Sequence, residues 1–153
     1  MYCLNQALHN STVSSNIRTD NLSPEDRKRT MRSVHSQDTK PEMVVRRTVY
    51  RLGFRYRLNR KDLPGKPDLV FAGRCKVIFV HGCFWHGHDC KAGAKRPKTN
   101  VEYWTTKLQR NRERDLSHYQ QLEGLGWQYL ILWECELKDQ QALETKLLAF
   151  LKA

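Results

Sequence analysis

No stretch of the 153-residue chain approaches the roughly 18 uninterrupted apolar residues of a membrane span. The first twenty residues, MYCLNQALHNSTVSSNIRTD, lack an apolar h-region, which argues against a secretory signal. Internal repeats are absent. Cysteines number five, and an odd count in a chain without a signal argues against a disulfide framework. Asn10-Ser11-Thr12 matches a glycosylation sequon, but without a secretion signal it is read as coincidence. Acidic residues are also scarce, 16 Asp+Glu against 27 Lys+Arg, for a formal charge of +11. The 39% of hydrophobic residues can fill one core, which argues against wholesale disorder, and the length leaves little room for a second domain. The expectation is a soluble cytoplasmic protein.

The basic excess is concentrated. Residues 27–114 carry 23 Lys+Arg and 7 Asp+Glu, net +16, whereas residues 1–26 sum to −2 and residues 115–153 to −3. A field of that kind suits a polyphosphate partner. An anionic membrane is the other anionic surface to weigh, but no basic amphipathic helix with a broad apolar face supports it.

Residues 1–22 are polar and lack hydrophobic periodicity, so they read as a flexible N-terminal extension to a domain spanning 23–153. Ser23-Pro24-Glu25-Asp26 reads as a helix start, with a Ser cap, Pro in the first turn and two acids suited to the dipole. That short basic helix runs to about Val34. A second helix starts near Thr39 or Pro41 and ends at Leu52, with Gly53 as its stop. Phe54 to Leu58 alternate as a half-buried or edge strand, and Leu63-Pro64-Gly65-Lys66-Pro67 is a turn. Asp68 to Phe71 and Cys75 to Val80, joined at Ala72-Gly73-Arg74, read as a β-hairpin whose second strand lies in the sheet centre. Cys75, inside that strand, is expected to be a small core residue.

The stretch 81–100 is irregular. A long helix follows from Asn100 to Leu125, its face marked by Val101, Trp104, Leu108, Tyr119 and Leu122. Trp127 to Trp133 is a buried strand and Gln141 to Leu151 a closing amphipathic helix. The order describes an α/β chain with a mixed sheet flanked by helices.

Two clusters carry chemistry. Cys83, His88 and Cys90 form the pattern C-x4-H-x-C, and Cys135, just past a strand, can fold back as a fourth ligand. Four such donors describe a closed, structural zinc site, the alternative being ordinary buried thiols. Asp68, at the mouth of an apolar strand, is a hard carboxylate suited to Mg²⁺ facing a phosphate. The hairpin brings His81 to its side, and His86 on the following loop can approach the same phosphate.

Pro67-Asp68, FVHGCFWHGHDC (79–90), EYW (102–104), RERD (112–115) and LILWECEL (130–137) resemble the very-short-patch-repair (Vsr) DNA mismatch endonucleases. DRKRTMRSV (26–34) and the surroundings of Glu42 are similar to that family too, so the resemblance covers about residues 23–153. It implies a restriction-endonuclease-like fold with a structural zinc. The implied activity is Mg²⁺-dependent nicking of double-stranded DNA on the 5′ side of T in T:G mismatches, which arise from deaminated 5-methylcytosine. The resemblance makes Asp68 a Mg²⁺ ligand, with the Val80 main-chain carbonyl as another. His86 becomes the general base, His81 a phosphate stabiliser and Glu42 a supporting acid near the metal. Cys83, His88, Cys90 and Cys135 match the zinc ligands. Phe84, Trp85 and Trp104 match aromatics that wedge into the duplex, and Met31 and Lys107 match residues contacting the mismatch. Implied partners are mismatched DNA and mismatch-repair proteins, with a monomer associated with the nucleoid through DNA.

Two features depart from the wider pattern. Phe79-Val80-His81 stands where many restriction-type nucleases carry Glu-x-Lys, and Val80 stands where members of the family often have Thr. Gly87 occupies a stretch often richer in His. Other readings stay open at this point: a related endonuclease with another target, a zinc-stabilised DNA-binding module, or a zinc hydrolase acting on small molecules.

Overall fold

The structure, a computed structural model, describes residues 38–153 except 59, 96 and 99, together with Ser23, Glu25, Asp26 and Arg29. The extension 1–22, most of the first expected helix and Met31 lie outside the described residues. Where that helix start is described, Ser23 Oγ accepts from the Asp26 N–H at 3.0 Å, as a capping residue should.

Helix α1 spans Lys40–Arg51, with Pro41 in its first turn and Thr39 as N-cap. Thr39 Oγ1 accepts from Glu42 N–H at 3.4 Å and donates to Glu42 Oε1 at 2.9 Å, while Glu42 Oε2 accepts from Asp38 N–H at 3.0 Å. This reciprocal arrangement satisfies donors that a helix start would otherwise leave orphaned. It also turns the Glu42 carboxylate inward.

Among the described residues, four strands form one sheet in the order β1 (Arg57–Leu58), β2 (Leu69–Phe71), β3 (Lys76–His81), β4 (Gln128–Trp133). The β1/β2 and β2/β3 pairs are antiparallel and β3/β4 is parallel. The expected mixed sheet is therefore present, with β3 central. The crossover from β3 to β4 contains the irregular stretch and helix α2 (Val101–Gly124). Helix α3 (Gln140–Lys152) closes the chain, after a 3₁₀ turn at Glu134–Lys138.

Strand side chains alternate between faces, and the two cores follow that parity. Leu69, Phe71, Ile78 and Leu132 pack with Val45 and Val49 of α1 and with Leu143, Leu147 and Leu151 of α3. Val70, Val77 and Phe79 face the other way, against Leu63 and against Tyr119 and Leu122 of α2. Burial on both faces explains why β3 is a continuous apolar run. Among the described residues, no helix is long and apolar enough to cross a membrane.

Four local expectations need correction. Strand β4 is not a buried strand: it lies at the sheet edge and is fully buried only at Leu132. Strand β1 is confined to Arg57–Leu58, both exposed, because only this segment pairs at the sheet edge. Cys75 is not a core residue: it is exposed at φ +50°, closing the 3₁₀ turn Ala72–Arg74 before β3 begins. The face expected on the long helix is buried only at Leu108, Tyr119 and Leu122. At 24 residues α2 is about 36 Å long, so its first turns project past the sheet, with Val101 exposed.

Lys76 is buried at the start of β3, where its Nζ donates to the Phe150 carbonyl at 2.8 Å, and Arg74 reaches the Leu151 carbonyl at 3.2 Å. Both cations satisfy end-of-helix carbonyls of α3 and complement its dipole.

Candidate active site and metal centre

Asp68 precedes β2, and its Oδ2 accepts the Val80 N–H of β3 at 2.7 Å. The hairpin register Leu69↔Ile78 thus delivers the carboxylate to the C-terminal end of the central strand. Burial pushes the Asp68 carboxyl up to about 6; the Val80 N–H pulls it down, and the Glu42 carboxylate adds to the rise. Glu42 is itself buried, 2.9 Å from Arg46, and lines the same cleft as Asp68. Arg46 pairs with Asp38 as well, which leaves that cation divided between two carboxylates.

The cleft holds about 640 Å³ and opens between the hairpin and α2. Acids and imidazoles form one part of it; Lys61, Lys66 and Arg114 supply positive charge to its wall. His81 at the end of β3 and His86 on the loop stack with ring centres 3.6 Å apart. Burial and the neighbouring His86 hold His81 down to about 3, so its ring is neutral near pH 7. Its Nε2 lies 3.5 Å from the Tyr119 hydroxyl.

His86 Nδ1 is 2.5 Å from Asp115 Oδ2 on α2. Burial works to raise Asp115, but the hydrogen bond with His86 keeps it below the usual carboxylate range. With Asp115 bound at Nδ1, Nε2 is the ring nitrogen left for proton transfer. His81, His86 and Asp115 have one donor atom each within 4.8 Å of one another. Two stacked rings and a direct imidazole–carboxylate contact describe a proton-handling pair beside a second imidazole better than convergent metal ligation.

Helix α2 grips this loop at three successive residues. Asn111 Nδ2 donates to the Trp85 carbonyl at 3.0 Å, Asp115 holds His86, and Arg112 donates to the Gly87 carbonyl.

The four soft donors converge as expected. Atoms of Cys83, His88, Cys90 and Cys135 all lie within 4.8 Å of one another, with Cys135 Sγ 3.5 Å from His88 Nδ1. A tetrahedral zinc with bonds of about 2.0–2.3 Å needs its donors roughly 3.5 Å apart, so the set fits that ion. Burial pushes the Cys83 thiol up to about 12, whereas the Gly93 N–H, 3.4 Å from Cys90 Sγ, helps bring Cys90 down to about 6. The His88 ring also stacks on Trp133 at 4.4 Å. Gly93 permits the turn to close, because a Cβ there would drive into the His88 carbonyl.

The aromatics assemble at the projecting start of α2. Ring centres of Phe84, Trp85 and Trp104 are 5.1–6.0 Å apart. Lys107 Nζ sits 5.7 Å from the Trp85 ring and 5.6 Å from Trp104, a cation over electron-rich faces. Tyr103, exposed, completes the group at 5.4 Å from Trp104.

The residues named from the sequence thus lie together in two clusters, beside four neighbours that had no assigned role. Asp115 sits in the quoted RERD stretch without an assigned role, as does Arg112. Tyr103 was visible in EYW. Arg46 had no signal beyond its i,i+4 spacing from Glu42.

Comparison with known proteins identifies the family. Residues 19–92 match the family model described as DNA mismatch endonuclease Vsr. A type II nicking enzyme, V.XorIIP of Xanthomonas oryzae pv. oryzae, is 50% identical over 129 residues, which cover 84% of this chain and 94% of the relative. The chain belongs to the Vsr family of DNA mismatch endonucleases. It thereby joins enzymes that act on DNA. The nicking enzyme V.NmeAIP of Neisseria meningitidis serogroup A is 42% identical, covering 84% of this chain and 91% of its own. The DNA mismatch endonuclease Vsr of Escherichia coli K12 is 39% identical over 117 residues, 76% of this chain and 74% of the relative. For this Vsr-family enzyme the imidazole-lined cleft is the candidate active site and the Cys/His cluster the candidate metal centre.

Proposed function

We propose that this enzyme nicks one strand of double-stranded DNA on the 5′ side of T in a T:G mismatch, in a Mg²⁺-dependent reaction, with zinc as a structural ion. The working domain is residues 23–153. The observation that carries the reading is a single cleft in which Asp68 and Glu42 face a stacked His81/His86 pair, with His86 held by Asp115. Family membership supports it, and so do the names of relatives as nicking enzymes and as a mismatch endonuclease.

Asp68 and Glu42 are hard oxygen donors, and the burial that raises Asp68 is an environment a divalent cation would relieve. The Val80 carbonyl would join them. Bound there, Mg²⁺ would supply Lewis acidity to the phosphoryl oxygens and the leaving 3′ oxygen. His86 Nε2 takes a proton from the attacking water, because Asp115 occupies Nδ1. Water oxygen adds to phosphorus and the bond to O3′ breaks; the departing oxygen takes a proton from solvent and His86 returns its own to solvent, leaving 3′-hydroxyl and 5′-phosphate ends. His81 stabilises the phosphate, and Lys61, Lys66 and Arg114 draw the DNA backbone to the cleft.

Phe84, Trp85, Trp104 and Lys107 supply selectivity. A mismatched step is easier to unstack, so aromatic wedges read weakness in the stack, and Lys107 adds a polar contact to the mismatch. Met31 is assigned the same role by family likeness. Trp85 is bonded directly to His86, so wedge and base share one loop and the nick falls beside the lesion. One cleft suits a monomer cutting one strand.

The test is an end-labelled duplex with one T:G pair in varied sequence contexts, alongside matched duplex, Mg²⁺ omission and Asp68→Ala. A Mg²⁺-dependent nick 5′ to the mismatched T, lost in Asp68→Ala, is the expected result. Binding without cleavage in every context would replace this reading with a zinc-stabilised binding module. Equal cleavage of matched DNA would discard the mismatch role.

A further inference from the structure

Gly87 follows His86, lies at φ +64°, and is buried. The space where its side chain would stand is filled by Arg112: a Cβ built on Gly87 would lie 2.5 Å from Arg112 Nε and closer still to the guanidinium end. Arg112 donates to the Gly87 carbonyl from that position. The missing Cβ therefore has two uses, a left-handed backbone and room for the guanidinium.

The contact matters because of what lies next to it. His86 is only partly buried, and its loop is a series of turns with few backbone bonds of its own, among them His86 N–H to Gly82 O and Gly87 N–H to Phe84 O, each at 3.3 Å. Asp115 grips the ring, but a ring also pivots with its backbone. Asn111 pins the carbonyl on one side of His86 and Arg112 the carbonyl on the other. The imidazole and the carbonyls on either side of it are thus joined to a 24-residue helix at three points.

Resting on the reading of His86 as general base, we propose that Arg112 is a positioning residue: lodged in the space left by Gly87, it sets the backbone of His86 so that Nε2 addresses the attacking water. Arg112 is also an exposed cation, and the rival role is a simple contact to a DNA phosphate. The two predict different kinetics. A phosphate contact acts on affinity, whereas a positioning contact acts on the chemical step, where a displacement of about 1 Å can cost roughly 10²-fold.

The experiment measures single-turnover nicking of a T:G duplex with enzyme in excess, and duplex affinity by fluorescence anisotropy without Mg²⁺, for wild type, Arg112→Ala, Arg112→Lys and Gly87→Ala. Arg112→Ala should nick at least about tenfold more slowly while its Kd changes less than threefold. Arg112→Lys, which keeps a donor of nearly the same reach, should recover most of the rate. Gly87→Ala displaces the guanidinium and also strains the left-handed backbone, so it should slow nicking at least as much as Arg112→Ala with affinity kept. Thermal unfolding of each variant verifies that the domain is intact, and if Arg112→Ala fails to fold, Gly87→Ala carries the test. Arg112→Ala nicking within twofold of wild type, or losing affinity in proportion to rate, overturns the proposal. Absence of nicking by wild type itself would instead refute the underlying functional reading.

Discussion

Asp68 and His81 sit across one cleft with protonation preferences that work against each other, and replacing one should uncover the other. Burial raises Asp68 to about 6, well above its ordinary value near 4, so the fold favours the neutral acid. Its contribution to the stability of the Mg²⁺-free protein is complete below the unfolded-state value and is lost as pH rises through 6. Burial lowers His81 to about 3, so the fold favours the neutral ring. That contribution is complete above about 6.5 and is lost as pH falls through 3. Between about pH 4 and 6 the native state keeps the Asp68 proton while the unfolded chain keeps the His81 proton. The two slopes, each about 1.4 kcal/mol per pH unit, therefore cancel.

Asp68→Asn preserves an acceptor for the Val80 N–H and removes one of the two titrations. Relative to wild type, the variant should gain roughly 2 kcal/mol as pH rises from about 4.5 to 7. Exposed carboxylates common to both proteins drop out of the difference. Urea unfolding followed by tryptophan fluorescence, with zinc retained and Mg²⁺ omitted, measures it. His81→Gln should show the opposite trend. A difference between Asp68→Asn and wild type that stays flat across the range would refute a burial-raised carboxyl at this position.

His86→Ala should slow nicking by about 10²–10⁴-fold with affinity preserved, as removal of a general base does. Asp115→Asn leaves the ring in place but no longer enforces Nδ1–H, and a loss of about tenfold or more in single-turnover rate is expected. Trp104→Ala should weaken binding of T:G duplex more than matched duplex, with stacking of about 1–3 kcal/mol at stake; equal loss on both would remove it from the wedge. Cys135→Ser should lower the zinc content measured by mass spectrometry and expose the loop to proteolysis, since its sulfur closes a site with three other donors. Full zinc occupancy in that variant would exclude Cys135 as a ligand.

Much of this molecule is local. The span of α1 follows from Thr39, Pro41 and Gly53, whose capping and stopping effects act within a turn. Strand β3 announces itself as an apolar run because both of its faces are covered. Three of the four soft donors lie within eight residues, where chain connectivity alone keeps them close, and the fourth follows a strand end that had to return to the sheet. Asp68, His81 and His86 are legible for a similar reason: a hairpin of short connection brings the first two together, and five residues separate the third from the second.

Tertiary contact decided the rest. Asp115 and Arg112 are 29 and 25 residues from their loop partners, and nothing in their own neighbourhood says that α2 packs beside the His86 turn with that face inward. Cys75 lies in an apolar stretch, yet a left-handed turn puts it outside, because β3 starts one residue later. The helical pattern of α2 identified an apolar stripe but could not say where the sheet stops beneath it. That length mismatch frees Tyr103, Trp104 and Lys107 for the aromatic cluster. Composition and spacing thus determined the elements and the chemical identity of the donors; only packing of a long helix against a short sheet determined which side chains meet in the cleft, since such meetings depend on distances in space that sequence separation does not encode.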